Sequence, residues 1–153
     1  MGAPTQRRLV SRAERTIDAD PSRVWALVAN PERVGEWAGV TVVGYMGTEL
    51  PKQGQSLFVR SSRWGRLSQT CRVEIEAWDA GTRVRCAIHQ ETSAPSTEFE
   101  IEIRPEVSHD GIATTVRLIQ RTDVPGVALA FARWRANRQL NRRLDRIAKV
   151  VDR

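Results

Sequence analysis

The residues of this chain that could do chemistry are two histidines, two cysteines and a few polar side chains set among apolar ones. His89, His109, Cys71 and Cys86 do not have the spacing of a zinc site, which draws its ligands from short paired motifs. Ser108-His109-Asp110 is contiguous in sequence, whereas a catalytic triad is assembled in space from separated segments. Gly44 and Gly47 lack the strand–loop–helix context of a phosphate-binding loop. Neither cysteine has a histidine near it in the strand pairing inferred below, so each is read as a small core residue and not as a nucleophile. No catalytic constellation is recognisable, and no metal or cofactor is expected.

A second set of polar residues falls where apolar ones belong. Arg15 alternates with Ala13 and Ile17, Ser61 follows Leu57 and Val59, and Thr114 and Gln120 share a strand face with Val116 and Leu118. Arg133 lies four residues after Leu129 and seven before Leu140, on the apolar stripe of a helix. A buried, unpaired arginine is costly. Arg15 and Arg133 therefore either snorkel to the surface, or meet an acid, cavity water or an anionic ligand group.

Those positions follow from the elements that must carry them. Residues 9–19 read as a strand with Leu9, Ala13 and Ile17 on one face. Asp20 is a helix N-cap and Pro21 suits the first helical turn. Val24, Leu27 and Val28 then make an apolar stripe until Asn30-Pro31 ends the helix, and a second short helix runs through Val34 to Trp37. Strands are expected at 40–48, 55–63, 69–78, 83–90, 98–104 and 112–121, separated by Gly-, Pro- and Asp-rich turns. Cys71, Val73, Ile75 and Ala77 oppose Arg72, Glu74 and Glu76, as in an antiparallel sheet covered on one side.

Facing residues on antiparallel neighbours point the same way. A two-residue Ala80-Gly81 loop accordingly places Ile75 opposite Cys86 and Val73 opposite Ile88, and leaves His89 on the wet face with Arg83 and Arg85. Continued, the pattern puts Ile112, Thr114, Val116, Leu118 and Gln120 on the dry face of the last strand. Cys71 then lies four positions from the partner of Cys86, about 13 Å along the strand. That is too far for a disulfide, and two free thiols suit a reducing cytoplasm. From about Asp123 a helix runs to about Val151, with Leu129, Ala136, Leu140, Leu144, Ile147 and Val151 on one face and Arg135, Arg138, Arg142, Arg146 and Lys149 on the other.

The 153 residues are read most simply as one domain, 1–153. No apolar run approaches the roughly 18 residues of a membrane span, and the N-terminus lacks a signal-peptide core, so a cytoplasmic location is expected. The net charge is +6. Residues 133–153 hold eight bases and two acids and so account for all of it, a local stripe that suits either a solvated helix face or an acidic partner.

The segments TIDADPSRVWALVANPERVGEW (16–37), GQSL (54–57) and CRVEIEAWDAGTRV (71–84), followed by the terminal helix, resemble the START-like or SRPBCC superfamily. That group includes polyketide cyclases, lipid-transfer domains and plant pathogenesis-related proteins. The resemblance covers nearly the whole chain. It implies an α+β helix-grip fold: a curved antiparallel sheet of about seven strands wrapped around a long C-terminal helix, with two short helices after the first strand. It also implies a cavity for an apolar or aromatic small molecule.

The candidate lining is Trp37 on the helix pair, against a plain core role, with Trp25 read as packing. From the strands come Tyr45, Ser61, Cys71, Val73, Cys86, Ile88, Phe99, Ile101, Thr114 and Val116. The long helix adds Phe131, Arg133 and Trp134. Three functions remain open. One is binding or carriage of a hydrophobic small molecule, lipid- or polyketide-like. Another is a cyclase/dehydrase-type enzyme, although the Trp/Arg/Tyr sets of dedicated aromatase/cyclases are not recognisable. The last is a partner module whose basic helix meets nucleic acid or an acidic protein. Nucleic acid is disfavoured because aromatic residues do not alternate with the arginines of that face.

Overall fold

The computed structural model describes residues 5–46, 54–61, 70–90 and 97–152, with the side chains of Tyr45, Met46 and Ser61 outside that description. The chain begins with β1 (Gln6–Ile17), α1 (Pro21–Val28), a 3-10 turn at Pro31–Arg33 and α2 (Val34–Ala38). Six more strands follow: β2 (Val40–Met46), β3 (Ser56–Ser61), β4 (Thr70–Asp79), β5 (Arg83–Gln90), β6 (Thr97–Ser108) and β7 (Gly111–Pro125). A 3-10 turn at Gly126–Ala128 leads into α3 (Leu129–Val151). The strands form one antiparallel sheet in the order β1-β7-β6-β5-β4-β3-β2. This is the helix-grip arrangement.

Local chemistry sets the bend between the short helices. The Asp20 carboxylate accepts from the Ser22 backbone N–H at 2.8 Å and from its hydroxyl at 2.6 Å, which caps α1. These bonds hold the Asp20 carboxyl below its usual range. Asn30 repeats the device, accepting from the Glu32 N–H at 3.0 Å. Gly39 ends α2 in the left-handed region at φ 70°, where a Cβ would also come within 3.0 Å of the Arg146 guanidinium.

The core joins one half of the concave sheet face to the helices. Val24, Leu27 and Val28 of α1, Trp37 of α2, Ile101, Ile103, Val116 and Leu118 of the sheet, and Leu140, Leu144, Ile147 and Val151 of α3 form one buried cluster. The helix α3 lies against β1 and β7 at one edge of the sheet, while α2 reaches from α3 to β2 at the other edge. The convex face carries cross-strand charge rows. Arg117 contacts Glu14 at 2.9 Å and Glu102 at 3.3 Å, and the buried Glu100 sits 3.7 Å from Arg83 and 3.8 Å from Arg121. These rows explain how Ile119 and Thr115 are buried on the side without helices.

Ile75 faces Cys86 and Val73 faces Ile88 as expected, yet the turn differs. Asp79 pairs with Arg83, so the loop is Ala80–Thr82, and a bulge between Ile75 and Ala77 absorbs the extra residue. Beyond the bulge the faces exchange. Ala77 moves opposite Arg85 on the convex side, and Trp78 moves opposite Val84 on the concave side. There its ring meets Trp25 edge-on at 5.2 Å, so Trp25 packs as expected against a partner the alternation did not reveal.

Other boundaries shift as well. The strand expected at 9–19 is Gln6–Ile17. The last strand runs to Pro125 because β1 continues pairing as far as Gln6, and α3 starts at Leu129 and not near Asp123. Ile112 is 56% exposed despite its dry parity, since it faces Val107 at the hairpin tip, outside the helix-covered area.

Candidate functional site

The helices do not cover the concave face evenly. In the half nearest α1, Ile101, Ile103, Val116 and Leu118 are sealed under helix side chains. Toward the other half, on the strands remote from α3, Leu57 and Val59 of β3, Cys71 and Val73 of β4, and Cys86 and Ile88 of β5 are only half-buried. Register places these residues on one face: Leu57 opposite Val73, Val59 opposite Cys71, Val73 opposite Ile88. The result is an apolar strip between the half of the sheet that α3 covers and the edge strand β2, which α2 contacts.

A more polar row crosses the face beside this strip. Ser11, Gln120, Phe99, Cys86 and Ile75 follow one another across five adjacent strands. The Arg143 guanidinium comes inward from α3 to lie 5.2 Å from the centre of the Phe99 ring, a cation–π contact. Its charge is also felt by the Cys86 thiol. Among the described residues the buried Ser11 hydroxyl finds no hydrogen-bond partner, and neither does the buried indole N–H of Trp37. Buried polar groups are normally satisfied, so each such orphan asks for an explanation.

Cys86 is half-buried, and its thiol donates to the Phe99 carbonyl oxygen at 3.5 Å. Burial, followed by the nearby Glu76, pushes its thiol up to about 12, against the smaller opposing effect of Arg143. At neutral pH it is therefore a protonated thiol. Cys71 lies opposite Gln90, four positions from the partner of Cys86, and neither cysteine is in a disulfide. His89 is on the convex face, 3.4 Å from Glu74, and His109 occupies the β6–β7 turn. Among the described residues no group of three or more potential metal ligands comes together.

The structure sorts the candidate lining into groups. Trp37, Phe99, Ile101, Thr114 and Val116 are buried within the packed half, with Cys71, Val73, Cys86 and Ile88 on the half-open strip. The Thr114 hydroxyl is already committed, donating to the Ala19 carbonyl at 2.6 Å. Tyr45 and Ser61 are in register with Leu57 and Val40 along the backbone, and their side chains lie outside the described ones.

Phe131, Arg133 and Trp134 are exposed and do not line an interior cavity. Phe131 precedes Leu140 by nine residues, about 180° around a helix of 3.6 residues per turn. Trp134 is about 120° away. Arg133 keeps the azimuth of the stripe, but the buried stripe begins only at Ala136. Arg15, the other arginine on dry parity, is an exposed ion pair with Asp145 of α3.

Arg143 was missed because it was grouped with the basic tail. Its position three residues after Leu140 and four before Ile147 puts it on the flank of the stripe, and that spacing was the available signal. Two surface notches are also present, of about 240 Å³ beside Glu36, Arg146, Lys149 and Val150, and of about 290 Å³ beside Phe58, Thr70, Arg72, His89 and Gln90. Both are open and neither contains the concave strip. Apolar surface and inward polar groups converge at the strip, as they do in small-molecule sites.

No curated protein matches the chain. Solved structures match over almost its full length. A Staphylococcus aureus protein of unknown function, SA2116, superposes with a TM-score of 0.77 at 12% identity, covering 96% of this chain and 95% of its own. CV1439 from Chromobacterium violaceum gives 0.70 at 15% identity, over 94% and 97%. DynU16, from the dynemicin biosynthetic locus, gives 0.69 at 16% identity over 94% of this chain, which spans only 47% of DynU16. At these identities the likeness shows the fold alone. No helix among the described residues is long and apolar enough to cross a membrane. The family model described as "Polyketide cyclase / dehydrase and lipid transport" matches residues 8–152, and the chain belongs to that SRPBCC-type family.

Proposed function

We propose that the protein binds and carries an apolar or aromatic small molecule that bears one polar or anionic group. The body of the ligand rests on the strip formed by Leu57, Val59, Val73 and Ile88, and its polar end lies at Arg143 beside Gln120. The observation that carries this reading is the inward reach of Arg143 over Phe99, next to apolar strand surface that is left half-open. A guanidinium in such a recess recognises a carboxylate, phenolate or enolate through charge-assisted hydrogen bonds. Family membership supports the general class of ligand. Carriage is favoured over chemistry because Cys86 is held protonated and His89 faces away from the strip.

Native mass spectrometry beside the denatured spectrum tests occupancy directly. A mass lost on denaturation supports the reading and begins to identify the ligand. Binding of the aromatic sulfonate 1-anilinonaphthalene-8-sulfonate provides a second probe. Arg143→Gln should weaken it about ten- to a hundredfold, the scale of one lost hydrogen bond to a charged group. Val73→Asp should abolish it. A bare protein mass together with dye binding indifferent to both substitutions would remove the proposal.

A further inference from the structure

The outward face of α3 is not an ordinary solvated helix face. Val127 is 100% exposed, Phe131 63% and Trp134 56%, so the turn before the helix and its first residues present three large apolar side chains to water. The two rings lie 6.1 Å apart, and the Arg138 guanidinium sits 5.3 Å from the Trp134 ring. From there the same side of the helix continues as a cationic track, through Arg135, Arg138, Arg142, Arg146 and Lys149, all exposed. From Phe131 to Lys149 the track is about 27 Å long at 1.5 Å per residue. The single acid of α3, Asp145, is engaged by Arg15, so it does not interrupt the positive field.

We propose that this face docks the protein onto an anionic lipid bilayer. The apolar end enters the boundary between headgroups and acyl chains, where Trp and Phe are favoured, and the arginine track lies along the phosphates. Charge complementarity selects this occupant. A second copy would bring one arginine track against another, and three apolar side chains are a small nucleus for a stable dimer. A single-stranded nucleic acid needs open aromatic faces, whereas Arg138 already covers one side of Trp134 and Val127 cannot stack. Docking does not depend on what the concave strip holds.

Flotation with phosphatidylcholine vesicles, with and without phosphatidylserine, tests the assignment on the full chain. The protein should float only with phosphatidylserine present and be released by salt, because the attraction is screened. Phe131→Ser with Trp134→Ser should lose flotation while leaving the melting temperature unchanged, since both positions are exposed. Each charge removed by Arg138→Gln or Arg142→Gln should weaken binding about fivefold. Arg143→Gln, which faces the concave strip, should float like the native protein, so failure of the ligand proposal and of this one are separable. Absence of flotation on phosphatidylserine vesicles overturns the inference, as does unaltered flotation of the double serine variant. A dimer that dissociates in that variant, or an oligonucleotide that the native chain prefers to vesicles, would give the face to a different partner.

Discussion

Thr114 offers a sharp separation of packing from function, because sequence parity placed it among the ligand contacts and the structure commits its hydroxyl elsewhere. It is fully buried, and it donates at 2.6 Å to the carbonyl of Ala19, the residue that links β1 to the cap of α1. Thr114→Val keeps the shape and removes the donor. The buried carbonyl then loses its partner, at a cost of about 1–3 kcal/mol. In a chain of this length about 1 kcal/mol corresponds to about 2–4 °C, so the melting temperature should fall by about 2–12 °C. Thr114→Ser keeps the donor and loses one methyl group, about 0.8 kcal/mol and about 2–3 °C. Thermal unfolding followed by circular dichroism ranks the pair, and dye titration of the folded proteins should give native affinity for both. If Thr114→Val melts with the native protein, or if Thr114→Ser is the less stable of the two, the hydroxyl does not act as this clasp. A Thr114→Val protein with native stability and weakened binding would restore the residue to the ligand site.

Two further outcomes follow from burial. Leu140→Ala, at a fully buried position of α3, should cost about 3–5 kcal/mol in urea unfolding, whereas Phe131→Ala, nine residues earlier and exposed, should change stability by less than about 0.5 kcal/mol. Similar losses for both would mean that the face of α3 is wrongly assigned. The Cys86 thiol, raised by burial from its ordinary 9.0 to about 12, contributes stability that is complete below 9.0 and is lost as pH rises toward 12. The stability difference between the native protein and Cys86→Ala should therefore shrink above pH 9.0, and a constant difference across that range would show that the thiol is not buried.

The sequence by itself determined the kinds of elements and most of their order. Alternation at Cys71–Ile75 and Phe99–Ile103, the Asp20-Pro21 and Asn30-Pro31 starts and the stripe from Ala136 to Val151 are local patterns, and the chain obeys them because period and capping act over a few residues. The register of β4 against β5 was legible for a similar reason, since dry faces must match. The bulge before Ala77 was not legible, because an inserted residue costs little within one strand and is revealed only by the partner it faces. It hid Trp78, and with it the contact to Trp25. Only tertiary structure could decide which dry-parity residues meet a helix and which remain half-open, because α3 covers β1 and β7 and leaves the strip on β3–β5. The arginines show the same division. Sequence parity set Arg15 and Arg133 on apolar faces, to snorkel or to find a partner there; packing gave Arg15 an acid from α3, left Arg133 beyond the buried stripe, and brought Arg143 over Phe99. Periodicity states the direction in which a side chain leaves its own element, while burial depends on what another element places in front of it.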